Sequence, residues 1–173
     1  MNAQLSSFGS YRGFTEPRFD DWRRVSQYVE MRDGIRLAVD IMHPVSAGVL
    51  VEEPLPAIWS HTRYQRASLT REGEVETMAE HWDPWLFQVI AHGYVVLCVD
   101  VRGGGASFGV NRGQFPDDES RDAYDITEWF AAQPWSNGRV GMVRRSYLGI
   151  TQYFNASQAP PHLACIFPEV AWI

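Results

Sequence analysis

The chain has 173 residues, 45% apolar and 21% charged, with a formal net charge of −6. That length and composition suit one soluble globular domain with a sizeable core. The negative balance argues against a nucleic-acid or anionic-membrane partner, no apolar run is long enough to span a bilayer, and the polar start from Met1 to Phe14 has no apolar leader, so a cytoplasmic location is expected.

Residues 1–24 lack a period and are predicted as an irregular N-terminal arm. Val25 to Met31 alternates as a strand, Asp33-Gly34 signals a two-residue hairpin, and Ile35 to Ile41 returns as its partner, closed by Pro44. Val45 to Glu53 reads as a loop. Leu55 to Trp59 is a short apolar strand, followed by a polar loop over 61–66; residues 67–80 carry no clear period. Asp83-Pro84 is a helix start, with Asp83 as N-cap, Leu86 and Ile90 on the apolar face and Gly93 at the end. Tyr94 to Val99 shows no polar alternation and reads as a strand buried on both faces. A glycine-rich loop, Asp100 to Gly109, leaves it. Glu119 to Ala132 is a helix with acids at its start. Asn137-Gly138 turns the chain into a strand over Val140 to Val143; a helix follows from Tyr147 to Ser157, and a last strand from Leu163 to Phe167. This order predicts an α/β fold, a mostly parallel sheet with an antiparallel N-terminal hairpin. Ligands of such sheets bind at the C-terminal ends of the strands.

The glycine-rich loop lacks the spacing of a dinucleotide or phosphate cradle, since Phe108 stands where a third glycine is needed. Arg102 is expected to pair with Asp100 or Asp125. Cys98 and Cys165 lie in apolar runs and read as buried reduced thiols. His43, His61, His81, His92 and His162 are scattered, without metal-ligand spacing, and read as surface or locally bonded histidines. No metal or cofactor is expected.

Ser146 stands alone between the strand and the helix. A serine on so sharp a turn has the geometry of a nucleophile elbow, in which the next residue, Tyr147, offers its backbone N–H to an oxyanion. The generic pattern is G-x-S-x-G, whereas here Arg144 lies two before the serine and Leu148 two after it. A second oxyanion donor usually comes from the loop after an earlier strand, where Tyr64 offers a phenol.

Three motifs in order carry a resemblance to a known family. The hairpin Val29 to Asp40, the loop Asp100-Val101-Arg102-Gly103-Gly104-Gly105-Ala106-Ser107-Phe108-Gly109, and the stretch Gln133 to Met142 followed by Ser146-Tyr147-Leu148-Gly149-Ile150-Thr151-Gln152 resemble the cocaine-esterase-like and X-Pro dipeptidyl-peptidase-like serine hydrolases. The family elbow runs G-x-S-Y-x-G, so Leu148 and Gly149 match it and Arg144 is the misfit. The resemblance implies an α/β-hydrolase fold, an acyl-serine mechanism without cofactor, and small ester or short peptide substrates. It carries over Ser146 as nucleophile, Tyr147 as oxyanion N–H donor and Tyr64 as oxyanion hydroxyl.

Arg144 should strain the elbow, either tilting outward or misplacing Ser146. After Ser146 the chain offers only His162 and Glu169, in reversed order and too close to return at a later strand end. Residues 25–173 are therefore expected to be the N-terminal part of an α/β-hydrolase domain that ends before its acid and base. The two functional expectations are a serine hydrolase present as an incomplete chain, inactive alone, and a degenerate relic with at most a binding role. Apolar strands such as Val140–Val143 or Leu163–Phe167 are expected at an exposed sheet edge.

Overall fold

A computed structural model describes residues 15–77 and 85–172. Most of the expected arm, the Asp83-Pro84 helix start and His81 lie outside them.

β1 (Asp21–Glu30) and β2 (Arg36–Ser46) pair antiparallel along their whole length. The hairpin between them is one residue longer than predicted. Met31 N–H bonds the Ile35 carbonyl and Gly34 N–H bonds the Met31 carbonyl, with Gly34 at φ 82. This is a three-residue loop closed by a left-handed glycine. Pro44 does not close β2. It stays in register opposite Trp22, where the ladder tolerates a missing N–H. The expected loop after it holds a two-residue strand, β3 (Val49–Leu50), folded back on Val45 and Ser46.

β4 (Leu55–Thr62) outruns its prediction, because its parallel pairing with β7 (Val95–Asp100) continues to Thr62 opposite Asp100. His61 and Thr62 therefore belong to a buried strand, and the polar loop begins only after them. Residues without a clear period form a small hairpin, β5 (Ala67–Leu69) and β6 (Val75–Thr77). The helices are α1 (Trp85–Ala91), α2 (Asp117–Ala131) and α3 (Tyr147–Ser157); the remaining strands are β8 (Ser136–Arg145) and β9 (Leu163–Glu169). Asn137-Gly138 lies inside β8 as a bulge, since Leu55 pairs with Ser136 but Ala57 with Val140.

The main sheet runs β1-β2-β7-β4-β8-β9, with β7, β4, β8 and β9 parallel. The connection from β4 to β7 steps one way across the sheet, whereas those from β7 to β8 and from β8 to β9 step the other way. Right-handed crossovers then place α1 on one face and α2 and α3 on the opposite one. Alternation along β2 and β7 feeds both layers. Leu37, Val39, Ile41, Leu97 and Val99 pack with Trp59, Ile126 and Phe130. Met42 and Val96 meet Leu86 and Ile90 of α1. Val140–Val143 is internal, flanked by β4 and β9, so only the second of the two expected exposed edges is one. On edge strand β9, Cys165 and Phe167 are exposed, which corrects the expectation of a buried Cys165; Cys98 is buried, and burial lifts its thiol pKa to about 12. Among the described residues no helix is long and apolar enough to cross a membrane.

Candidate active site

The parallel strands deliver Thr62, Asp100, Arg145 and Glu169 to one end of the sheet. Between β8 and α3 a single residue, Ser146, makes the turn, at φ 57 and ψ −130. Such backbone costs a side-chain-bearing residue ~1–3 kcal/mol, so its surroundings must hold it. They do so from both sides. Ser146 N–H donates to the Glu169 carbonyl (3.0 Å), and its own carbonyl accepts from Gly149 and Ile150 N–H (2.9 Å each). Ser146 is exposed and its hydroxyl does not cap the helix. None of these bonds uses the Tyr147 N–H.

Gly149 explains the spacing of the elbow. A Cβ there would sit 2.7 Å from Ala171 Cβ and 2.9 Å from the Glu169 carbonyl oxygen, so the first turn of α3 presses on the end of β9. Gln152, fully buried, staples the same junction. Its Nε2 donates to the Arg144 carbonyl (3.0 Å) and its Oε1 accepts from Phe167 N–H (2.9 Å). Arg144, the misfit to the elbow pattern, lies at φ 138, where side chains are rarely found. It does not tilt outward. It is 4% exposed, its guanidinium lies 5.9 Å from the Trp85 ring, and burial draws its pKa down to about 10. The elbow turn still forms around it.

Tyr147 is buried, stacked on Phe115 with ring centroids 4.4 Å apart. Its hydroxyl donates to Glu119 Oε2 at 2.6 Å. Burial, then this bond, pushes the phenol pKa up, and burial raises Glu119 to about 7. Tyr64 is 57% exposed and sets its ring edge-on to Tyr147 at 6.1 Å. The structure thus brings the three predicted site residues to one corner. Glu119, Phe115 and Gln152 were not singled out from the sequence. The acids opening α2 suit a helix dipole, which hid the one that turns inward.

The glycine-rich loop cradles a carboxylate of its own chain. Asp100 Oδ1 accepts from Arg66 N–H (2.7 Å) and Oδ2 from Ala106 N–H (3.0 Å). Gly105, at φ 51, is required because a Cβ would run into that carboxylate. Arg66 bridges Asp100 to Asp40, both buried. Arg102 pairs with neither predicted acid. Its guanidinium binds Asp122 and Asp33, because Asp100 is held by the loop and Asp125 is taken by Arg32 at the hairpin tip. The hydrogen bond from Arg102 holds Asp33 below its usual range, whereas burial raises Asp122. The family-like motifs in the hairpin and the loop are thus joined by ion pairs.

His61 is fully buried at the end of β4, with neither ring nitrogen hydrogen-bonded among the described residues. Burial lowers its pKa to about 3, so it is a neutral core residue, contrary to the surface reading. His162 bonds Glu128 at 2.7 Å, before the start of β9 and thus at the opposite end of the sheet from Ser146. Glu169 reaches the elbow through its backbone carbonyl. Among the described residues no group of His, Cys, Asp and Glu is arranged to hold a metal ion.

A parallel sheet under right-handed crossovers, with a strained serine joining a central strand to its helix, is the architecture of the α/β hydrolases. Within that class, residues 33–173 match the X-Pro dipeptidyl-peptidase (S15) family, and the chain belongs to it. It is 36% identical over 159 residues to a putative serine esterase of Mycobacterium bovis, covering 88% of this chain and 25% of that one. It is 34% identical to a cocaine esterase of Rhodococcus over 145 residues, 83% of this chain and 22% of the other. A CocE/NonD family hydrolase of Staphylococcus aureus superposes with a TM-score of 0.63 at 28% identity, over 84% of this chain and 26% of that one. The chain spans about a quarter of the length of the curated relatives it matches.

Proposed function

We propose that this chain is the N-terminal, nucleophile-bearing part of a serine hydrolase that cleaves small esters or short peptides through an acyl-serine intermediate. Ser146 Oγ attacks the carbonyl, the oxyanion takes the Tyr147 N–H and the Tyr64 hydroxyl, and the leaving group departs as alcohol or amine. Water then releases the acid. The observation carrying this reading is the backbone of Ser146, strained, pinned from both flanks and exposed. Family membership supports the ester and peptide chemistry. No cofactor takes part in these steps.

None of the described histidines is placed to take the Ser146 proton: His61 is buried and neutral, His162 lies at the opposite end of the sheet, His43 packs against Trp135, and His92 bonds Thr15. The chain alone should therefore turn over negligibly, and an external base should restore reactivity. A fluorophosphonate probe with added imidazole tests this. The expected result is an adduct mapped to Ser146, accelerated by imidazole and lost in Ser146→Ala. Labelling unchanged by Ser146→Ala would overturn the assignment. Arg144 favours the second reading, a degenerate hydrolase with a binding role; an inert wild-type chain beside a reactive Arg144→Gly variant would establish it.

A further inference from the structure

Glu119 is a carboxyl group buried at 6% exposure one bond away from the residue that follows the elbow serine. Its Oε2 takes the Tyr147 hydroxyl, while its Oε1 is buried without a hydrogen-bond partner among the described residues. The crevice beside it, lined by Phe115, Pro116, Thr151 and Phe154, has no room for a water molecule. A phenylalanine facing an aliphatic residue would fill this space without desolvating a carboxyl group, so packing alone does not call for the pair. What the pair adds is direction, because a hydrogen bond fixes the Tyr147 ring along one line while Phe115 fixes its plane.

We propose that Glu119 is a positioning residue for the elbow: through the Tyr147 hydroxyl it locks the first turn of α3, and with it the backbone N–H beside Ser146. This deepens the reading of Ser146 as nucleophile and Tyr147 as oxyanion donor, and rests on it. The groups acting on Glu119 come from three elements. Tyr147 donates from α3. Arg63, after β4, lies 5.0 Å over the Tyr147 ring and favours the carboxylate. Asp122, one turn along α2, opposes it. Burial, with the smaller push from Asp122, outweighs Tyr147 and Arg63 and leaves Glu119 titrating at about 7. Above that pH the Tyr147 bond is charge-assisted and short; below it the acceptor is neutral and the bond weakens. The elbow therefore tightens as pH rises through neutrality.

Nuclear magnetic resonance of the chain across the neutral range tests this. The Ser146 and Tyr147 amide resonances are expected to shift with the midpoint of the Glu119 carboxyl carbon. Glu119→Gln, whose amide oxygen still accepts the hydroxyl, should abolish that shift. Tyr147→Phe, which keeps the ring, should raise the Glu119 midpoint and silence the amide at position 147, and it decides the matter if the first variant fails to fold. Flat amides beside a titrating Glu119, or an unchanged response in Glu119→Gln, would overturn the proposal. Fluorophosphonate labelling separates the two claims. An inert Ser146 with pH-responsive amides overturns the nucleophile and leaves the Glu119 contact. A labelled Ser146 with flat amides overturns the positioning role.

Discussion

Two connections leave the parallel strands that flank β4, at the same end of the sheet, and they solve the same problem differently. The loop after β7 needs positive φ at positions 103 and 105 and has glycine at both. Its buried carboxylate is met by backbone N–H groups and by Arg66. The elbow after β8 needs positive φ at positions 144 and 146 and has arginine and serine there. The first is a relaxed support whose polar groups are paired. The second stores strain at the residue presented to solvent, held by bonds to Glu169, Gly149 and Gln152. Positive φ at an exposed serine, where the glycine-rich loop meets the same demand with glycine, supports the reading of Ser146 as the proposed nucleophile.

Breaking the relaxed side should cost most. Arg66→Ala leaves Asp40 and Asp100 buried without their shared cation, and chemical denaturation should show a loss of ~3–5 kcal/mol. Acid should act at the neighbouring strand end. The folded pKa of His61, about 3, is depressed, so its contribution is present above its unfolded pKa and is lost as pH falls toward about 3. That loss should be on the order of 3 kcal/mol by about pH 4, seen as a falling melting temperature that His61→Leu flattens. Gly149→Ala overpacks the elbow against Ala171 and the Glu169 carbonyl, and should cost ~1–3 kcal/mol in the same denaturation assay. Arg144→Gly is the smallest effect and has the opposite sign. Relief of ~1–3 kcal/mol of backbone strain, less ~0.5–1 kcal/mol of glycine entropy, should stabilise the chain by ~1 kcal/mol.

The sequence displayed the elements that obey local rules. Helix α3 was legible from end to end, because a run that can be helical follows a serine set just past an apolar strand. The antiparallel hairpin and the buried strand β7 were legible from their alternation or lack of it. Strand ends were not. The length of β4 is set by pairing with β7, so a polar His61-Thr62 pair looked like a loop. Cys165 looked buried because its strand is apolar, although its exposure depends on its place at the sheet edge. Of the site, Ser146, Tyr147, Tyr64 and the misfit at Arg144 could be singled out. The partner of Arg102 and the inward turn of Glu119 could not, since both depend on how α2 lies against the hairpin tip and the elbow.

The nucleophile is tested most directly by imidazole-assisted fluorophosphonate labelling, with the adduct located by peptide mass spectrometry in the wild-type chain and in Arg144→Gly. The account predicts an adduct on Ser146 in both proteins, formed faster in the variant. An unmodified Ser146 in both, with imidazole present, would contradict it.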